Sequence, residues 1–160
     1  MQLKIFSFFS GSGFLDLGFE LNGFSIELVN EFSQSFINAY QYARNQMKLA
    51  KPTYGYSNID VNEYLNTRSN ELRDYIKNAR TDNSLIGFIG GPPCPDFSVA
   101  GKQLGKDDER DLFPEAIRLI REIRPRAVML ENVRGFLDSG FEEYRDHIFT
   151  EIKKLGYVTH

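Results

Sequence analysis

The chain has very little of several things, and each shortage narrows the field. It contains a single cysteine in 160 residues. An internal disulfide is therefore excluded, and a cysteine-ligated metal cluster has too few ligands. It has no basic excess: 19 Lys and Arg stand against 22 Asp and Glu, a formal net charge of −3. Proteins that grip nucleic acid over a broad surface usually carry such an excess, so any DNA-binding surface must be local or supplied elsewhere. No apolar run approaches the roughly 20 residues of a membrane helix. The opening MQLKIFSFF lacks the apolar core and small-residue cleavage site of a secretion signal. There are no repeats, low-complexity segments or linkers. A cytoplasmic setting is the default expectation.

What is present describes one globular unit, with 41% hydrophobic and 26% charged residues. Leu3 to Phe9 reads as a strand that runs through a glycine turn into a helix bearing Leu15, Leu17, Phe19 and Leu21. Asn22-Gly23 stops that helix. Residues 25–30 read as a second strand. A helix over 33–49 is predicted to place Phe36, Ile37, Tyr40 and Met47 near one face. KPTYGYSN is a loop, and 61–79 a further helix. Residues 84–91 form a buried strand, followed by a Gly-, Pro- and charge-rich loop from 92 to about 110. Leu112, Phe113, Ala116, Ile117, Ile120 and Ile123 recur at helical spacing. Residues 126–132 read as another buried strand. Phe141, Tyr144, Ile148, Ile152 and Leu155 mark a last helix, and YVTH the start of one more strand. Strands alternating with helices predict an α/β fold with a doubly wound, mostly parallel, Rossmann-like sheet.

In such sheets ligands sit at the C-terminal ends of the strands. Three stretches there carry chemistry. FFSGSGF follows the first strand and opens a helix, where glycines admit close approach of a ligand to the backbone. About 20 residues on, Glu31 ends the second strand, a place where an acid commonly accepts ribose hydroxyls. The pair suggests an adenosine-containing ligand. Asp16 stands where the third glycine of G-x-G-x-x-G would fall, which favours a mononucleoside-type ligand over NAD.

The second stretch, GGPPCPDFS, holds Cys94 between Pro92, Pro93 and Pro95, which fix φ at three positions. A merely buried thiol needs no such frame. A preorganised one at a strand end can act as a nucleophile once neighbours favour its thiolate. In the third, MLENVRGF, Glu131 ends a strand read as buried; desolvation there would favour the protonated acid and fit it to donate or share a proton. Asn132 reads as a loop brace. His147 and His160 read as solvated surface.

Taken in order, these stretches resemble the DNA (cytosine-5)-methyltransferases. FSFFSGSGFLDLGFE is similar to that family's first motif, GGPPCPDFSVAGKQ to its Pro-Cys motif, and ENVRGF to its Glu-Asn-Val motif. The intervening ERDLFPEAIRLIREIRPRAVMLENV fits as well, so the resemblance covers nearly all 160 residues. It implies a sheet of the S-adenosylmethionine-dependent methyltransferase type, incomplete at its C-terminus. It also implies a bacterial or phage-derived, nucleoid-associated protein whose partner is duplex DNA, with no metal and no membrane.

Residue roles follow from the resemblance. Phe9, Gly11, Ser12 and Gly13 would surround S-adenosylmethionine, Glu31 would hold its ribose, and Phe32 would pack on adenine. A third contact is assigned to Asn58-Ile59, the pair in register, in preference to Asp60-Val61, which would require a shift by two. Pro93 and Leu112 would line the methyl-donor side. Cys94 would add to cytosine C6 while Glu131 holds N3 and the exocyclic amine, with the base flipped out of the helix. Pro95, Ser98, Lys102, Gln103 and Asn132 would face the DNA, in and beside a loop over the flipped base.

Three departures stand out. Pro95 replaces a residue that is usually glutamine, and Phe14 occupies a place often filled by glycine. The family's Gln-x-Arg-x-Arg motif, its target-recognition domain and a late segment completing the cofactor pocket do not occur before His160. The expectation is a truncated chain or one half of a split enzyme, with a second polypeptide supplying target recognition. Two other readings stay open on the residues: a non-catalytic partner that binds S-adenosylmethionine or DNA, and a nucleotide-dependent oxidoreductase.

Overall fold

A computed structural model of the chain describes residues 3–80, 84–93 and 111–160. Five strands alternate with helices: β1 (Leu3–Phe8), α1 (Phe14–Glu20), β2 (Ser25–Asn30), α2 (Gln34–Gln46) and β3 (Tyr56–Ser57) come first. Then follow α3 (Val61–Thr67), α4 (Ser69–Arg80), β4 (Leu85–Gly90), α5 (Phe113–Ile123), β5 (Ala127–Leu130) and α6 (Glu142–Lys154). The strands form one sheet in the order β3-β2-β1-β4-β5, and every pairing is parallel. The doubly wound α/β reading holds.

Strand periodicity sorts the core into two layers. In β1, Ile5 turns to one face with Ile26, Val29, Ile37, Tyr40 and Ile89, against α1 and α2. Phe6 and Phe8 turn to the other, with Leu28, Tyr64, Leu72, Phe88 and Ile120, against α3, α4 and α5. The Phe8 ring stacks on Phe88 at 5.8 Å and meets Tyr64 edge-on at 5.5 Å. A third cluster of Phe113, Ile117, Phe136, Phe141, Ile148 and Ile152 joins α5 to α6. Central β1 pairs with β4 from Leu3↔Leu85 to Phe8↔Gly90 and with β2 on its other side. The chain reverses its direction of winding at β1, so the ends of β1 and β4 open a crevice there.

Four expectations need correction. The helix read as one piece over 61–79 is two, broken at Arg68; Asp60 caps the first with bonds from Asn62 N and Glu63 N. The loop KPTYGYSN contains β3, too short for a periodic pattern to show. Among the described residues β5 ends the strand order and is not buried: its residues alternate exposed and half-buried, and Met129 is half exposed. YVTH forms no strand among the described residues; Tyr157 instead tucks its hydroxyl onto Pro125 O at 2.7 Å. No helix among the described residues is long and apolar enough to cross a membrane.

Candidate cofactor and active site

The crevice is built from the residues that end three strands. After β1 the backbone enters left-handed conformation at Phe9 (φ 54°), Gly11 (φ 54°) and Gly13 (φ 85°). Gly13 N closes the turn on Ser10 O at 3.0 Å. Glycine takes such angles without steric cost, so the half-buried turn can present its amides. One of them is used at once: Gly11 N donates to Glu31 Oε2 at 2.8 Å. The other carboxylate oxygen, Oε1, accepts from Ser33 N at 2.7 Å, just before α2. Glu31 is thus held at the end of β2 by two backbone donors and lies largely buried.

Neighbouring amides stiffen the same floor. Asn30 Nδ2 reaches across to Ser57 O at 3.3 Å and Ile59 O at 3.1 Å. Asn58 Nδ2 donates to Glu31 O at 2.7 Å and Phe32 O at 2.8 Å. The chain end of β2 and the segment after β3 are therefore one hydrogen-bonded unit. Phe32, next to the buried carboxylate, is 69% exposed. An exposed aromatic beside a fixed carboxylate is a feature that packing alone does not require.

Together these residues wall a pocket of about 710 Å³, counting its open mouth. Its lining comes from the ends of β1 and β2 and the start of α2 (Phe9, Gly11, Asn30, Glu31, Phe32, Ser33 and Phe36), from the start of α3 (Asp60 and Val61), and from Gly91, Pro93 and Leu112. Beside Gly91 stands Glu131, whose backbone N donates to Gly90 O at 2.9 Å. A Cβ placed on Gly91 would lie 2.9 Å from Glu131 Oε2, so the missing side chain makes room for the carboxylate. Glu131 is exposed, and the burial expected from the strand before it is not found: among the described residues nothing pairs with the outer side of β5. Among the described residues, no three His, Cys, Asp or Glu side chains cluster as a metal site.

The family model for the C-5 cytosine-specific DNA methylase matches residues 3–160. The chain belongs to the C-5 cytosine-specific DNA methylase family. It is 43% identical to the Type II methyltransferase M.NmeDI of Neisseria meningitidis serogroup C, over 96% of this chain and 37% of that protein. It is 44% identical to the Type II methyltransferase M.NgoMIV of Neisseria gonorrhoeae, over 99% of this chain and 44% of that protein. A solved Escherichia coli prophage-encoded chain, described as a candidate DNA modification methyltransferase, superposes with a TM-score of 0.68 at 28% identity. That match covers 96% of this chain and 38% of the other. The chain thus spans less than half the length of these methylase relatives.

Within this methylase chain, Phe9, Gly11, Glu31, Phe32, Pro93 and Leu112 share the pocket. Ser12 and Gly13 do not: they face the other side of the turn, in a groove with Tyr40 and Arg44. Of the two alternatives after β3, Asp60 and Val61 are pocket walls. Asn58 braces Glu31 and Phe32 from behind, and Ile59 packs into the main core. Asn132 folds its Oδ1 back onto Val133 N at 2.7 Å. Cys94, Pro95, Ser98, Lys102 and Gln103 lie outside the described residues. Asn30, Ser33, Phe36 and Gly91 are pocket residues that the sequence did not single out as such. Asn30 and Ser33 flank Glu31 and Phe32, and that adjacency was the available signal. Phe36 was assigned to an apolar helix face, yet it is exposed at the pocket rim.

Proposed function

We propose that the complete protein transfers a methyl group from S-adenosylmethionine to C5 of cytosine in duplex DNA, and that residues 1–160 form its cofactor-binding and catalytic part. The observation that carries this reading is the juxtaposition, in one pocket of a methylase-family chain, of the doubly held Glu31 carboxylate, the exposed Phe32 ring and the Gly91 edge beside Glu131. These residues fit an adenosine-bearing ligand. Glu31 offers its carboxylate to ribose hydroxyls, Phe32 offers a face to adenine, and the glycine turn admits the rest of the molecule without a side chain in the way. When bound there, S-adenosylmethionine supplies an electrophilic methyl group on a sulfonium sulfur.

The chain's own residues do the rest. Cytosine C5 is a poor nucleophile until C6 is saturated. The Cys94 thiolate adds to C6, and the Glu131 carboxyl hydrogen-bonds N3 and the exocyclic amine, stabilising the charge pushed onto the ring. The C5 so activated would be the atom that accepts the methyl group the bound cofactor supplies. Loss of the C5 proton to a base and departure of the Cys94 thiolate restore the aromatic ring. A base stacked within the duplex does not offer its C6 face and N3 edge to an enzyme at once, so the cytosine is extruded from the duplex. The net acidic charge of the 160 residues supports a division of labour. The cationic surface that grips DNA lies elsewhere in the complete protein, and this part alone binds cofactor without methylating DNA.

Duplex DNA carrying 5-fluorocytosine at the target tests the reading, because fluorine at C5 cannot leave as a proton does. The complete protein with S-adenosylmethionine is expected to form a covalent complex that survives denaturing electrophoresis, and Cys94→Ser to form none. Undiminished methylation by Cys94→Ser would overturn it.

A further inference from the structure

Behind the glycine turn lies a buried polar cluster that this chemistry does not use. Asp16 of α1 is 1% exposed. Burial pushes its carboxyl above the usual range, while hydrogen bonds from Tyr40 and Ser7 pull the other way. Asp16 Oδ1 accepts from Ser7 Oγ at 2.8 Å, and Oδ2 accepts from Tyr40 OH at 2.7 Å. Tyr40 of α2 is as deeply buried, and its ring lies flush against Gly13. A Cβ at residue 13 would overlap ring atoms Cδ2 and Cε2. One turn further along α2, Arg44 stands 5.6 Å from the centre of the Tyr40 ring. Its Nη2 donates to Glu20 Oε1 at 2.8 Å, at the far end of α1.

Three elements therefore meet on one carboxylate: β1 through Ser7, α1 through Asp16 and α2 through Tyr40. A buried carboxylate stabilises a fold poorly compared with apolar packing of the same volume, because its desolvation offsets its hydrogen bonds. What such a cluster fixes well is position. The turn from Gly11 to Gly13 has little side chain of its own to hold it. Its rear contact is the Tyr40 ring, and its front contact is the Gly11 N–H on Glu31.

We infer that Tyr40 is a positioning residue for the cofactor: clamped on Asp16, it holds the Gly11–Gly13 turn where the Gly11 N–H aims the Glu31 carboxylate into the pocket. The inference rests on the cofactor reading above. It makes α2 the backstop of the turn, so that a hydroxyl group that never touches ligand sets the affinity for it.

The test uses the complete protein, with S-adenosylmethionine binding followed by calorimetry well below the melting temperature. Tyr40→Phe keeps the ring and removes only the hydroxyl. The Kd is expected to rise about tenfold, the effect of losing one buried hydrogen bond to a charged group. The kcat at saturating cofactor and the KM for DNA should change less than twofold. Tyr64→Phe serves as control: its buried hydroxyl has no hydrogen-bond partner among the described residues, and its ring meets Phe8 rather than the Asp16 carboxylate. That variant should bind as the parent does. An unchanged Kd in Tyr40→Phe, with only a lower melting temperature, would reduce Tyr40 to packing and overturn the inference alone. Failure of the parent protein to bind S-adenosylmethionine would overturn the cofactor reading and this inference together. If Tyr40→Phe does not fold, Ser7→Ala removes the other donor to Asp16. A Kd rise of about threefold then supports the clamp, and an unchanged Kd overturns it.

Discussion

Gly91→Ala separates the work of the Glu131 carboxylate from the stability of the sheet. The new Cβ would stand 2.9 Å from Glu131 Oε2, whereas ordinary contact begins near 3.4 Å, so the carboxylate must retreat by about 0.5 Å. Gly91 has no left-handed φ, and the obstructed atom belongs to an exposed, flexible side chain. The stability change should therefore stay within about 0.5 kcal/mol, as for a surface substitution. Catalysis is less forgiving. A misplacement of about 1 Å costs roughly a hundredfold in rate, so half that distance should cost about tenfold. The neighbouring Gly90→Ala is the contrast, because its Cβ would overlap the Phe8 carbonyl on the paired strand β1, which cannot move aside. That variant should lose about 1–3 kcal/mol or more of stability. Thermal melts and incorporation of labelled methyl groups into DNA by the complete protein read the two effects. Full activity in Gly91→Ala, or a loss of stability matching Gly90→Ala, would refute the assignment of Glu131 to the reacting base.

Phe32→Ala should raise the Kd for S-adenosylmethionine between about 5- and 150-fold, the loss of about 1–3 kcal/mol of base stacking; because Phe32 is exposed, the melting temperature should barely move, and an unchanged Kd removes it from the pocket's function. Tyr75 tests the alkaline limit. Burial, and next its hydrogen bond to Glu71, push its hydroxyl up to about 12. The folded state then favours the neutral form more than the unfolded state does. Stability from this group is full below pH 10 and is lost as pH rises through about 12. Chemical denaturation across that window should show a shallower decline in Tyr75→Phe, and an identical decline would exclude the effect.

The longer strands were legible because β1, β2 and β4 each carry several apolar residues within a six-residue run and are followed by turn chemistry: residues 25–30 match β2 end for end. What escaped has a physical reason in each case. β3 is two residues long, below any period. The break at Arg68 leaves the apolar spacing of Leu65, Leu72 and Ile76 uninterrupted, so α3 and α4 read as one helix. The run AVML looks buried in composition, but burial depends on what packs outside β5, and composition cannot report that. The pocket was legible at Glu31 and Phe32, whose residue types are unusual at a strand end. Asn30 and Asn58 were not, or not in the role they take, since their work is to bridge β2 and the segment after β3 across nearly 30 residues of sequence. The Asp16 cluster gave one hint, an acid in place of a glycine, without showing that Tyr40 would meet it.

The position of β1 in the middle of the sheet has a consequence during synthesis. Its partner on one side, β4, begins with Leu85 opposite Leu3, roughly 80 residues later in the chain. At about 5–20 residues per second, the apolar strand LKIFSF has a free edge for on the order of 4–16 s before β4 is even made. Only the β2 side can be covered in that interval, and an exposed strand of this composition recruits other strands readily. The nascent chain therefore passes through a window in which chaperone capture, or slower translation past β4, decides how much of it reaches the native sheet.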